Sequence, residues 1–242
     1  MIRTLIKNAM LLCGACLFRN TKSKLLYYHD VFASAQYTDM GTPLTLFQQH
    51  VRMIREQGFK IVPRISEAER EVALLLDDGF RGIYDVRDYL QRENICPTVF
   101  LAVSLIGKDG YLNKEEIKEL QGQGFIFQCH AWSHEDLTTF TDEELKRELG
   151  ESKAYLEDLL GKEVDEICLP IGYFSDHLIE EIKKYGYTRV YSSIPGNYFE
   201  PVVGGMTARN LVQFASPRQV KYMLFGGNWL IKKRYERMHH KM

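Results

Sequence analysis

Two short strings in this 242-residue chain carry the residue types that metal-assisted hydrolysis requires. In the first, Leu74 to Phe80, two adjacent carboxylates, Asp77 and Asp78, follow an apolar run and precede Gly79. In the second, Cys129 to Leu137, His130 and His134 stand four residues apart. A zinc-type hydrolytic site takes three protein ligands, keeps a coordination position open for water, and needs a base to deprotonate that water. One carboxylate and two imidazoles make the ligand set and leave the other carboxylate free as the base. Each string alone is a weak signal, because paired aspartates are common in turns and paired histidines are common on surfaces.

The surrounding elements strengthen the pairing. Val72 to Leu76 reads as a buried strand, and Gly79 permits a sharp turn directly after the aspartates. The carboxylates therefore sit at the carboxyl end of a strand, where α/β folds keep their active sites. Phe125 to Gln128 is a second apolar run, and it delivers His130 to the same kind of place. Strands are expected at Lys24 to His29, Phe59 to Val62, 97–103, Ile167 to Leu169, Thr188 to Tyr191 and Ala208 to Val212. Between them fall helices from Thr42 (with Pro43 at its first position) to Gln57, at 81–93, and from Lys114 to Gln121. Further helices follow from Thr141 to Leu160, where Glu144 completes a capping box, from Ser175 to Tyr185 and from Ser216 to Phe225. Strands alternating with helices predict an α/β fold with a mostly parallel sheet and right-handed crossovers. About seven such units imply a closed or nearly closed barrel in one domain spanning 1–242, with 1–23 and 227–242 as peripheral segments.

Composition narrows the function. A net charge of −1 argues against duplex nucleic acid as the main partner, since that needs a concentrated basic face. The five cysteines are scattered; Cys13 and Cys16 form one Cys-x-x-Cys with no second pair, so reduced, buried cysteines are expected. Arg3, Lys7, Arg19, Lys22 and Lys24 surround the apolar stretch Ala9 to Phe18, which is too short to span a bilayer. A signal peptide fits that length but lacks a clean small-x-small cleavage site. Near the other end Trp229, Leu230 and Ile231 adjoin Lys232, Lys233, Arg234 and Arg237. Such segments either pack on the barrel or rest on an anionic membrane surface. The expected location is cytoplasmic with membrane-surface contact as one option, and export is left open.

These residues carry a resemblance. The chain is similar to the polysaccharide deacetylases of carbohydrate esterase family 4, the NodB-like fold. That family's Thr-Phe-Asp-Asp-Gly corresponds to Leu75-Leu76-Asp77-Asp78-Gly79, and its His-Ser/Thr-x-x-His to His130-Ala131-Trp132-Ser133-His134, with Ala131 departing. Its Arg-x-Pro-Tyr-Gly corresponds to Cys168-Leu169-Pro170-Ile171-Gly172, with the Arg and Tyr replaced. The Tyr28-His29-Asp30 opening resembles a permuted branch that includes deacetylases of biofilm poly-N-acetylglucosamine. The resemblance implies a distorted (β/α) barrel of about seven parallel strands.

It also implies roles. Asp78, His130 and His134 bind one divalent metal, zinc first, with cobalt, nickel and iron compatible. Asp77 is the base, and the Ile171 N–H, flanked by Pro170 and Gly172, faces the tetrahedral oxyanion. The late catalytic histidine of the common family order is missing, since no histidine lies between His177 and His239. His29 is therefore the expected acid, with His177 as the fallback. Asp30 either orients His29 or caps a turn, and His50, His239 and His240 read as surface residues. Cys168 cannot replace the lost arginine that steadies the base, so either another cation does so or Asp77 works without one; Arg209 is the candidate substitute, and it reads equally well as an ordinary strand-end surface residue. The implied activity is N-deacetylation of an N-acetylated sugar or polysaccharide in exopolysaccharide, capsule or lipopolysaccharide assembly. The other reading is a non-catalytic carbohydrate-binding relative that keeps the metal.

Overall fold

Seven short parallel strands curl around a narrow interior in the computed structural model, which describes residues 2–241. They are β1 (Lys24–Tyr28), β2 (Glu71–Leu76), β3 (Thr98–Leu101), β4 (Ile126–Cys129), β5 (Glu166–Cys168), β6 (Arg189–Tyr191) and β7 (Asn210–Leu211). Their order in the sheet is β7-β1-β2-β3-β4-β5-β6, every pairing is parallel, and Lys60–Ile61 adds a short parallel piece to the start of β2. Parallel neighbours need crossovers, and helices fill them. Thr207, just before β7, bridges back to Tyr191 of β6 and draws the two edges of the sheet together. The architecture is the distorted (β/α) barrel that the alternating elements predict.

The main helices are α1 (Ile2–Leu17), α2 (Leu44–Glu56), α3 (Lys114–Gly122), α4 (Ser152–Leu160), α5 (Asp176–Lys184), α6 (Pro217–Leu224) and α7 (Trp229–His239). The strands they cover are buried on both faces, and side chains alternate between those faces. Leu25, Tyr27, Ala73, Leu75, Phe100, Cys168 and Tyr191 cluster inside the barrel. Leu26, Tyr28, Leu74, Leu76, Val99, Leu101 and Ile167 face the helices. The period of two carries the inward face one step past the strand ends, to His29 after Tyr27 and to Asp77 after Leu75. The same parity assigns Arg209 and Gln213, on either side of Leu211, to the interior.

Several elements depart from the sequence expectation. Gly41–Pro43 pairs with Asp30–Phe32 in a separate two-stranded sheet, so α2 begins at Leu44 and Pro43 precedes it. The helix expected at 81–93 breaks at Val86 into Gly82–Asp85 and Arg87–Arg92. The helix capped by Thr141 and Glu144 starts as expected, then widens into a π-helical stretch, Lys146–Glu151, before continuing as α4. The terminal segments form helices: α1 packs on α6 and α7, with no room for a Cβ at Gly14 or Gly227 where their backbones meet. The far end of α7 docks on the loop after β5, where the Phe174 N–H donates to His239 O and the Lys241 N–H donates to Phe174 O. Among the described residues no helix is long and apolar enough to cross a membrane.

Candidate metal and catalytic centre

Asp78, His130 and His134 converge at the carboxyl ends of β2 and β4. Nε2 of His130 lies 3.1 Å from Asp78 Oδ1, and Nε2 of His134 lies 2.9 Å from it. Asp78 is buried, and its Oδ1 has no hydrogen-bond partner. Two imidazole nitrogens and an orphaned carboxylate oxygen aimed at one point fit a divalent cation, whose ligation would satisfy all three atoms. Nδ1 of His130 is engaged with the Cys168 carbonyl at 2.8 Å, so Nδ1 carries the proton and Nε2 presents its lone pair. Burial alone would raise the Asp78 carboxyl, but His130 and His134 hold it well below the usual carboxylate range. A second group, Asp77, His130 and Cys168, is also close enough to ligate. Burial pushes the Cys168 thiol well above its ordinary value, however, and a protonated thiol is a poor ligand.

Asp77 is built for a different task. It is buried, and Arg209 grips both of its oxygens, Nη1 to Oδ1 at 2.6 Å and Nη2 to Oδ2 at 3.0 Å. Arg209 is 1% exposed, donates from Nε to the Ser192 carbonyl at 2.9 Å, and lies over the Tyr27 ring at 4.1 Å. Three fixed donors and an aromatic face leave the guanidinium one orientation. Burial would raise the Asp77 carboxyl, but Arg209, with help from His130 and His29, pulls it below the ordinary carboxylate range. The cation missing from the motif around Cys168 is thus supplied from β7, across the barrel mouth.

The loop carrying the two histidines is held from behind by a residue the sequence did not single out. Glu148, buried on the π-helical stretch, accepts hydrogen bonds from the Trp132 and Ser133 N–H groups, both at 2.9 Å. The extra residue in a π turn re-aims side chains, and such turns gather at functional sites. Backbone strain gathers here as well. Among the described residues six non-glycine residues have positive φ, and four of them lie in the three motif turns: Asp78 (73°), Ala131 (62°), His134 (65°) and Ile171 (60°). For a β-branched residue such as Ile171 that conformation is a genuine outlier. Ile171 is half exposed on a turn with Pro170 and Gly172, beside the mouth of the barrel.

His29 and Asp77 end neighbouring strands at the same level, with Tyr28 paired to Leu76 and the Asp77 N–H donating to Tyr28 O at 3.0 Å. His29 Nδ1 bonds the Gln213 side-chain oxygen, which leaves Nε2 free. Asp30 does not orient His29. Its carboxylate caps locally, accepting from the Val31 N–H at 2.9 Å and packing on the Gly82 backbone. Burial pushes its carboxyl up to about 7. His177 lies on the surface, bonded to Asp142 at 2.8 Å, and is not brought to the ligand cluster. His50 is not a surface residue: it is fully buried, with Nδ1 3.0 Å from the Tyr28 hydroxyl and Nε2 2.7 Å from Ala215 O. Both partners lie far away in sequence, so local pattern could not reveal its burial. His239 is half-buried and lies against Gly172 through the docking of α7.

A parallel barrel with an Asp-Asp/His-x-x-x-His centre at its carboxyl rim defines a class of hydrolase-type folds, and comparison gives the family. The chain belongs to the polysaccharide deacetylase family, whose model matches residues 64–190, just over half of its length. His29 and Arg209 both fall outside that span. Over 130 residues (52% of this chain) it is 29% identical to the peptidoglycan-N-acetylmuramic acid deacetylase PdaA of Bacillus subtilis, and it spans about half, 48%, of that curated relative's length. A polysaccharide deacetylase from Bacillus cereus superposes with a TM-score of 0.73 at 24% identity, covering 84% of this chain and 69% of that one. IcaB from Ammonifex degensii superposes with a TM-score of 0.72 at 20% identity, covering 85% and 98%. The two structures share the fold along most of the chain.

Proposed function

We propose that the chain is a metal-dependent hydrolase that removes N-acetyl groups from an N-acetylated polysaccharide, in exopolysaccharide, capsule or lipopolysaccharide assembly. The observation that carries this reading is the division of labour between adjacent aspartates: Asp78 joins the two histidines, while Asp77 is kept ionised by Arg209. A module that merely bound carbohydrate would have no use for a second carboxylate steadied in this way. The relative named for peptidoglycan N-acetylmuramic acid supports an N-acetylated substrate.

Asp78, His130 and His134 would hold a divalent ion, which when bound would supply a Lewis acid for the amide carbonyl and acidify water; two imidazoles and a carboxylate suit zinc, with cobalt, nickel and iron close in preference. Asp77 takes the proton of the attacking water, and its lowered proton affinity keeps it available at neutral pH. Arg209 fixes both Asp77 oxygens so that the accepting lone pair has one direction. The Ile171 N–H, with Pro170 and Gly172 shaping its turn, is assigned to the oxyanion. His29, protonated on both ring nitrogens at this step, gives the departing amine its proton from Nε2, while the Gln213 side-chain oxygen accepts from Nδ1–H. The test is acetate release from N-acetylglucosamine oligomers and from peptidoglycan. Acetate release should stop with a chelator and return on adding zinc. Asp77→Asn should retain metal and lose about 10²–10⁴-fold in turnover. Near-normal rates in that variant would refute the assignment of the base.

A further inference from the structure

We propose that the outer face built by α1 and α7 binds the surface of an anionic lipid bilayer. On α1, Ala9, Leu12, Cys13, Cys16 and Leu17 are exposed, while Leu11, Gly14 and Ala15 are buried. The exposed set follows helical spacing and forms one apolar stripe on the side of α1 turned away from the protein, where a soluble surface helix normally carries polar residues. Leu17 is 72% exposed. Phe18 continues the stripe and stacks at 3.7 Å on Trp229, itself 54% exposed at the start of α7. On α7 the exposed side chains beyond Trp229 include Lys233, Arg234 and Arg237.

Charge partitions sharply between these segments and the rest. Residues 1–29 contain five Lys/Arg and no Asp/Glu, and residues 217–242 contain seven and one. The stretch between, 30–216, holds 19 Lys/Arg against 31 Asp/Glu. Lys24 is buried in β1 and Lys22 pairs with Glu200, but the remaining excess is still basic at both ends, and these ends meet on one side of an acidic barrel, since α1 packs on α6 and α7. An apolar stripe with an exposed tryptophan, bordered by lysines and arginines, matches a bilayer interface: the stripe enters the acyl boundary and the cations meet anionic headgroups. A second copy of the chain would bring two basic faces together, and a nucleic acid or anionic polysaccharide would leave the stripe uncovered. Among the described residues no helix is long and apolar enough to cross a membrane, so the contact proposed is with the bilayer surface. This inference stands apart from the deacetylase reading.

The test is co-sedimentation of the full chain with phosphatidylcholine vesicles and with vesicles mixing phosphatidylcholine and phosphatidylglycerol, at low and high salt. Binding to the mixed vesicles, weakened by salt, is expected. A Lys233→Ala, Arg234→Ala, Arg237→Ala triple variant should bind them about a hundredfold more weakly. A Leu12→Asn, Leu17→Asn variant changes no charge and should lose binding too, with circular dichroism unchanged in both. No binding to either vesicle would overturn the proposal. So would equal, salt-insensitive binding to both, unaltered binding by the variants, or a dimer in sedimentation analysis that the charge variant strengthens.

Discussion

Arg209→Met isolates the ion pair on which the base depends. Both side chains are almost fully shielded, at 1% and 4% exposure, and two hydrogen bonds of 2.6 and 3.0 Å join them. Removing one partner of such a pair strands the other charge and costs about 3–5 kcal/mol. Methionine keeps the aliphatic stem but loses the guanidinium that lies over the Tyr27 ring at 4.1 Å, so a smaller packing loss adds to the electrostatic one. The loss depends on pH, and the direction follows from linkage. In the native protein Asp77 binds its proton less readily when folded than when unfolded. Its stabilisation is therefore full above the unfolded value, near ~3.9, and is lost as pH falls through the lower folded value. In the variant, burial acts with much less opposition and raises the folded value. The variant then loses stability as pH climbs above ~3.9 towards that raised value. The gap between the two proteins opens with rising pH and narrows in acid. Urea unfolding of both proteins, with chelator present, over acidic to neutral pH measures it. A gap that stays flat with pH, or one below ~1 kcal/mol at neutrality as for an exposed pair, would refute the reasoning.

Glu148→Ala removes the acceptor of two charge-assisted hydrogen bonds and should destabilise the chain by about 3 kcal/mol, with metal affinity falling about 10–100-fold in titration calorimetry. Unchanged affinity would mean that the histidine loop holds its own shape. Ile171→Gly relieves a positive φ in a β-branched residue and should raise the melting temperature, the strain being about 1–3 kcal/mol against a smaller entropic cost of glycine; a lower melting temperature would refute the strain. His29→Ala should cut turnover strongly at unchanged metal content. Near-normal turnover would shift the acid role to another group.

The element order, and hence the barrel, was legible because seven buried strands alternate with amphipathic helices. The inward set was legible in principle from the period of two, which runs from Leu25 through Tyr27 to His29 and from Ala73 through Leu75 to Asp77. Arg209 could be nominated from its place on the last strand, but only the curl of the sheet brings it to Asp77, 132 residues away. Glu148 was not legible, because nothing in Lys146 to Glu151 marks a π turn apart from an ordinary helix; the widening shows only where the helix packs under the histidine loop. Asp30 and His50 depended on partners chosen by the fold, the Gly82 backbone for one and Tyr28 and Ala215 for the other. The end of α7 was hidden because its register against Phe174 arises from packing of the two chain termini.

The guanidinium on β7 also bears on how such a site can drift. What Asp77 requires is a cation at a point in space, and at least two backbone positions look onto that point, Cys168 from β5 and Arg209 from β7. A chain could pass from one solution to the other through an intermediate with both arginines, never leaving the carboxylate unattended. The linear motif would erode along that path while the three-dimensional arrangement persisted. A degraded third motif is therefore poor grounds for declaring a barrel of this kind inert until the inward residues of its last strand have been inspected.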